Sequence, residues 1–287
     1  MLALLTVTHD SRPELEALLR SVDEHLPGAE VVVADSGSTD GSADAARAWS
    51  GGARVVELGE NVGFGRANNA GLAEVRQPVT VLVNPDVELV DDSLRALADE
   101  AQAGPERLLA PTVLLPGGRL QDSVQLDPRS PLRLPQVVLP GRLLPAAVQP
   151  WKATEPRRVG WAVGCCIAAR TEVLRALGPF ADDVFLYGED LDLGLRAAER
   201  GIDTWFWPQA RVLHRRAHTT ARAFGGEPYD LLARRRLEVV EKRRGRRAAL
   251  LDAAVLAATH AIRAPFSRRD RAHLAATVRA ARASRTP

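Results

Sequence analysis

The chain is 287 residues long, 46% hydrophobic and 26% charged, which excludes a disordered polymer and supplies a core for one large α/β domain with an appendage, or for two domains. Its only two cysteines, Cys165 and Cys166, are adjacent, which excludes a disulfide scaffold and points to a reducing compartment. Net charge is +2, but Pro228–Pro287 holds 15 Lys or Arg against 5 Asp or Glu, so a tail of +10 follows a body of −8 and should meet something anionic.

The opening MLALLTVTHD has no basic region before its apolar run and no small-residue cleavage site after it, so Leu2–Val7 predicts a strand covered on both faces. Ser11 and Glu14 have capping-box spacing and predict a helix through about Leu26. A second strand over Glu30–Ala34 ends at Asp35, and a turn from Ser36 to Gly41 leads into an Ala-rich helix reaching about Trp49. Strands over Arg54–Leu58 and Val79–Val83 flank a loop and helix over Gly63–Val75, and Asp91–Ala103 predicts a further helix. Strands alternating with helices specify a doubly wound, mainly parallel sheet with helices on both faces, and polar clusters fall just after the strands, where such sheets bind ligands. Pro116–Arg158 carries eight prolines and little periodicity, as in a flap over a site. Regular structure returns with a strand over Val159–Ala169, a short helix from Thr171, a helix over Glu189–Arg200 and a strand over Thr204–Val212. The tail from Tyr229 reads as helical.

Five clusters can carry chemistry, and each also has a purely structural reading. Asp35 with Ser36 and Gly37 fits a base- or ribose-binding turn, and equally a helix cap at Ser38 or Thr39. Asn61, Gly63, Arg66 and Asn69 fit a loop against a polar ligand, with Arg66 toward a phosphate, or an ordinary turn and cap. Asn84-Pro85-Asp86 fits a cation site for a diphosphate, or a β-turn. Glu189, Asp190 and Asp192 crowd three carboxylates into four positions, which raises at least one pKa and suits a general base; acids also favour any helix N-terminus. His214 with Arg215, Arg216 and His218 fits a metal ligand with phosphate-binding arginines, or a hydrogen-bonded structural histidine.

In order along the chain, VVVADSGSTDGS, NVGFGRANNAGL, VLVNPDVEL, FLYGEDLDLGLRAAERG and WPQARVLH resemble the family 2 glycosyltransferases of GT-A fold, in particular their bacterial rhamnosyltransferase-like branch, over about Leu2 to Thr220. The resemblance implies a catalytic domain over 1–227, with a nucleotide-sugar half (1–115), the Pro-rich flap (116–158) and an acceptor half (159–227), followed by a basic helical tail (228–287). It implies that Asp190 is the catalytic base, supported on the acceptor side by Glu189, Asp192 and Trp161. Thr8, Asp35, Ser36, Gly37, Asn61, Gly63, Arg66, Asn69, Asn84 and Asp86 would bind the nucleotide sugar, and Asp86 and His214 a divalent cation, Mg²⁺ or Mn²⁺. Two positions depart from the pattern: Asn84 stands where D-x-D has its first aspartate, and His9-Asp10 replaces a Tyr-Asn pair.

The function so implied is an inverting transfer of a sugar, rhamnose first, from a nucleotide-diphosphate donor such as dTDP-rhamnose or a UDP- or GDP-sugar. The acceptor would be a cell-envelope glycan or a lipid-linked hydroxyl. The alternatives are a sugar nucleotidyltransferase, which should show a Gly-rich basic loop where this chain has THDSRPEL, and an inactive relative of the transferases. A nucleic-acid partner is not expected, because Tyr229 and Phe266 are the only aromatics from Pro228 onward. Ala248–Ile262, too short and too interrupted to span a bilayer, is expected to lie in an anionic membrane interface on its flanking arginines, making the protein cytoplasmic and peripheral on the inner face. The competing expectation is that the tail packs on the catalytic domain or forms a homodimer contact.

Overall fold

Apolar runs without a polar face become strands buried on both sides. In the computed structural model, which describes residues 1–178, 180–181, 186–215 and 228–284, the first such run is β1 (Leu2–Thr8), buried along its whole length. β2 (Glu30–Asp35) and β4 (Val79–Val83) pair parallel to it on either side, and β3 (Arg54–Glu57) pairs parallel to β2. Side chains alternate along a strand, so β1 feeds two cores. Leu2 and Leu4 pack with Leu15 and Leu18 of α1 (Arg12–His25) and Leu94 of α4 (Ser93–Ala103), with α2 (Ser42–Ala48) alongside. Ala3 and Leu5 pack with Leu72 of α3 (Phe64–Glu74) and Leu174 of α6 (Thr171–Leu177) on the opposite face. These are the two helical layers of a doubly wound sheet.

The sheet continues through β10 (Cys166–Arg170), β6 (Arg107–Leu114), β11 (Asp203–His214) and β5 (Val87–Leu89), in the order β3-β2-β1-β4-β10-β6-β11-β5, with β8 (Arg157–Val159) on β11. β6 and β11 run with β1 to β4, whereas β10, β5 and β8 run against them. The sheet is therefore mixed and mostly parallel. β6 is a strand that the sequence analysis lacks. The single strand expected over Val159–Ala169 is three: β8, β9 (Trp161–Ala162) paired with β7 (Val124–Gln125), and β10. The first break is at Gly160, where an added Cβ would stand 2.0 Å from the Asp127 nitrogen, and the second spans residues 163–165. The capping box also fails to form: Ser11 caps α1 without a side-chain bond, and its hydroxyl meets Thr8 Oγ1 and the His9 N–H, both at 3.2 Å.

The Pro-rich segment holds short helical turns and α5 (Pro135–Val138), and Leu144 and Val148 in it are buried. The tail forms α8 (Tyr229–Arg244), α9 (Arg246–Arg263) and α10 (Arg268–Ala283). It packs on the C-terminal part of the sheet domain: Leu237, Val239 and Val240 of α8 and Ala249 and Ala253 of α9 cluster with Trp161, Leu191 and Leu195, the last two from α7 (Glu189–Glu199). Arg243 pairs with Asp192 at 2.7 Å, and Arg244 with Glu199 at 2.7 Å and Asp127 at 3.4 Å, so these two arginines are not headgroup contacts. The apolar helix is also longer than expected: Arg246–Phe266, 21 residues, is long and apolar enough to cross a membrane. Asp252 within it is buried between Arg133 of the Pro-rich segment and Arg236 of α8, which lies 2.7 Å away. Asp252→Asn leaves the buried Arg133 and the half-buried Arg236 guanidinium groups without their counter-charge. It should cost about 3–5 kcal/mol of unfolding free energy in urea, against less than about 1 kcal/mol for Asp230→Asn in the exposed pair with Arg279.

Candidate active site

The residues expected to bind the donor sit in turns that follow parallel strands. Thr8 ends β1 and its carbonyl accepts the Ser36 N–H at 2.9 Å, which brings the first two strand ends together. Asp35 ends β2, buried; its Oδ2 accepts the Ser38 N–H at 3.1 Å, while Oδ1 has no hydrogen-bond partner among the described residues. Gly37 is required, because φ is +70° and a Cβ would stand 2.7 Å from the Glu60 carbonyl carbon. The Ser36 hydroxyl accepts the Val62 N–H at 3.0 Å, and Asn61 Oδ1 accepts the Gly63 N–H at 3.1 Å, so Asn61 and Gly63 pack on the Asp35 turn. Arg66 is exposed in the first turn of α3. Asn69 is spent elsewhere: its amide donates to the Phe180 carbonyl at 2.8 Å and accepts the Phe180 N–H at 3.1 Å, tying α3 to the segment after α6.

The Asn84-Pro85-Asp86 turn joins β4 to β5, and the Asn84 N–H donates to the Cys165 carbonyl at 3.0 Å. Asn84 Oδ1 is buried with no hydrogen-bond partner among the described residues. Asp86 Oδ1 lies 3.2 Å from His214 Nε2, and His214 Nδ1 lies 2.8 Å from Gln121 Oε1. A carboxamide oxygen accepts only, so Nδ1 carries the proton that it receives. The Nε2 edge then faces the Asp86 carboxylate, and the orphaned Asn84 oxygen belongs to the same turn two residues earlier; oxygen and imidazole donors of this kind suit a hard cation. Among the described residues no three His, Cys, Asp or Glu side chains converge on a metal position, so such an ion would rest on Asp86 and His214 with the Asn84 oxygen. Arg215 is bound to Glu88, with Nη2 and Oε2 2.8 Å apart; Arg216 and His218 lie outside the described residues.

The three acids of α7 fall into three environments. Asp192 is a structural anchor: it is buried, 2.7 Å from Arg243 and 3.2 Å from Arg196. Asp190 accepts the Gly164 N–H at 3.1 Å and the Leu191 N–H at 2.7 Å. Burial raises its pKa, opposed by those two N–H groups and by the positive charge of Arg236. Glu189 has a buried oxygen without a partner among the described residues. Burial, with the Asp190 charge beside it, pushes its carboxyl up to about 8. At neutral pH Glu189 therefore keeps its proton, and the pair bears one negative charge, on Asp190. Such a carboxylate can take a proton from a hydroxyl placed before it. Trp161 packs under α7, where Gly194 leaves room for it, since a Cβ there would lie 2.5 Å from the Trp161 Cβ. Cys165 separates the two halves of the site: burial and the charges of Asp86 and Asp190 push its thiol up to about 12.

Several residues that hold this geometry escape the sequence analysis. Gln121 orients His214 from inside the Pro-rich segment, and Gly164 holds Asp190, though neither sits in a recognisable motif. Arg236, which faces Asp190 and stands 5.9 Å from the Trp161 ring, is one arginine of a consecutive three, and no local signal separates it from the others.

Residues 4–139 match the model of the family described as Glycosyl transferase family 2. The chain is 32% identical over 244 residues to an N-acetylglucosaminyl-diphospho-decaprenol L-rhamnosyltransferase of Mycobacterium tuberculosis, covering 77% of this chain and 78% of that protein. Among solved structures, it resembles the mannosyltransferase PcManGT of Pyrobaculum calidifontis in complex with GDP-Man and Mn²⁺, with a TM-score of 0.64, 19% identity, and coverage of 99% of this chain and 87% of that one. It also resembles residues 1–349 of S. aureus TarS in complex with UDP-GlcNAc, with a TM-score of 0.62, 14% identity, and coverage of 93% and 74%. Both likenesses are of the GT-A fold.

A carboxyl whose folded pKa is about 8, against an ordinary 4.5, gives a directed pH dependence. Between those values the unfolded chain has released the proton and the folded chain has not, so stability falls as pH rises through that window and is flat above it. Glu189→Gln removes this slope. Its melting temperature should match wild type at about pH 4 and exceed it by several degrees at about pH 9; an equal difference at both would place the proton elsewhere.

Proposed function

Because the chain belongs to glycosyl transferase family 2, whose members transfer with inversion, we propose that it moves L-rhamnose from a nucleotide-diphosphate donor, dTDP-rhamnose first, to a hydroxyl of a lipid-linked glycan at the cytoplasmic leaflet. The observation that carries the chemistry is Asp190, an ionised carboxylate oriented by two backbone N–H groups beside a protonated Glu189. The acceptor hydroxyl gives its proton to Asp190 while its oxygen attacks the anomeric carbon in line. The bond from that carbon to the diphosphate breaks, and its electron pair leaves on the diphosphate. One base and no enzyme nucleophile are needed, which is the economy of an inverting displacement.

Asp35 takes the base or ribose through its unpaired Oδ1, with Thr8, Ser36, Gly37, Asn61 and Gly63 shaping that end of the cleft and Arg66 toward the phosphates. A divalent cation on Asp86 and His214, with the Asn84 oxygen, would supply positive charge against the diphosphate. The Mn²⁺ of the Pyrobaculum mannosyltransferase structure supports that assignment. Rhamnose and the lipid-linked acceptor are supported by the mycobacterial relative's name, and the other sugars remain as competitors in the assay. Hydrolysis of a panel of dTDP-, UDP- and GDP-sugars by the purified chain tests the donor; preference for a UDP- or GDP-sugar would overturn rhamnose.

Asp190→Asn should lower transfer by about 10²–10⁴-fold and leave donor affinity within a few fold in calorimetric titration, since an amide keeps the shape but cannot accept the proton. Loss of donor binding instead would move Asp190 to the nucleotide side. Asp86→Ala should weaken donor binding and abolish its dependence on Mn²⁺. Equal wild-type affinity for the nucleotide diphosphate with Mn²⁺ and with EDTA would remove the cation.

A further inference from the structure

We propose that the face formed by the Pro-rich segment and the outer side of α9 docks this protein on the surface of an anionic lipid bilayer. The most apolar 18-residue window of α9 and the turn after it has a mean hydropathy of 1.2, yet only 22% of that window is buried. Its inner side carries Ala249, Asp252, Ala253 and Thr259. On the outer side Leu251, Ala254, Val255, Ala258, Ile262 and Phe266 recur at three- and four-residue steps, all exposed or half-buried; Leu251 is 67% exposed and Phe266 92%. A core helix would bury such a stripe. A spanning helix would have to strip Asp252 from both of its arginines. A helix held by its inner side and apolar on its outer side is built to lie in an interface.

The Pro-rich segment extends this stripe. The Arg133–Asp252 pair and the bond from Arg263 Nη2 to the Gln136 carbonyl, 3.0 Å, lay the segment along α9. Leu132 and Leu134 flank the anchored Arg133, and Val138, Leu139 and Leu143 follow; all five are exposed. Charge identifies the occupant. Residues 128–154 contain four basic side chains and no Asp or Glu, and residues 253–269 contain three arginines and no Asp or Glu. Arg129, Arg142, Arg268 and Arg269 are exposed. Apolar side chains ringed by one sign of charge match an apolar layer beneath anionic headgroups, whereas a second copy of this face would set arginine against arginine. The face is near the chemistry, since Arg236, the partner of Asp252, also faces Asp190. Presenting that carboxylate to an acceptor rooted in the same bilayer rests on the lipid-linked acceptor proposed above; the surface itself does not.

Flotation of the full chain with phosphatidylglycerol-containing vesicles and with pure phosphatidylcholine vesicles tests this, beside a triple variant Val138→Asp, Leu143→Asp and Phe266→Asp. All three side chains are more than half exposed, so the fold should survive, as melting temperature checks. The wild type should float with the anionic vesicles and less with the neutral ones, and the triple variant should lose at least about tenfold in partition. In a Phe266→Trp variant, emission from the new indole should shift to the blue on anionic vesicles. Flotation untouched by the triple variant, or an unshifted emission from floated protein, overturns the surface. So does flotation that requires polyprenyl phosphate in the vesicles, which would give the face to the acceptor chain, or a solution dimer that the triple variant dissociates. Transfer to a water-soluble acceptor analogue is measured in parallel: if transfer fails and the flotation pattern holds, the proposed function falls and the surface stands; in the reverse case the surface falls alone.

Discussion

One carboxylate buried between two guanidinium groups relates the three parts of this chain to one another. Asp252 belongs to the tail helix α9, Arg133 to the Pro-rich segment and Arg236 to α8, and Arg236 also acts on the Asp190 carboxylate by its charge and stands near the Trp161 ring. Buried charges are tolerable only when each is met, and here burial pulls the Arg133 pKa down while Asp252 holds that of Arg236 up. The consequence is architectural. The tail cannot leave the sheet domain without uncovering three charges, so the segment after the GT-A sheet is held against the helix that carries Asp190.

The same logic separates the acids at the head of α7. Three carboxylates in four positions cannot share one environment, and the fold gives each a different one. Arginines take Asp192, a proton takes Glu189, and backbone N–H groups take Asp190. Only the last keeps a charge that is hydrogen-bonded without being neutralised by a salt bridge. That distinction, which depends on Gly164 and on helices distant in sequence, makes one of three similar residues suited to accept a proton.

Most of the N-terminal half was legible because its signals are local. The run Val79–Val83 is apolar on both faces, and the strand found has those bounds. Asp35 and Asp86 were placed after strands by the same pattern, with Asp35 one residue inside its strand. β6 was missed because Arg107–Leu114 carries Pro111, which argues against a strand interior; its parallel pairing with β11, nearly a hundred residues away, holds it. The Ser11–Glu14 spacing misled, since the Ser11 hydroxyl found better partners in Thr8 and His9 than in its own helix. The Pro-rich segment lacks periodicity because its order comes from contacts with the tail, notably Arg133 with Asp252, which no window of neighbouring residues reports.

Adjacent cysteines beside a candidate active site would ordinarily invite oxidation. Here Cys165 is buried between Asp86 and Asp190, and those two negative charges add to burial in keeping the proton on its sulfur. Cys166 is likewise buried in β10, its thiol held well above the ordinary range. Thiolate is the species that peroxide and electrophiles attack, and neither position supplies it at neutral pH. The two acids proposed to bind the donor and activate the acceptor would thereby also hold the sulfur between them in its less reactive thiol form.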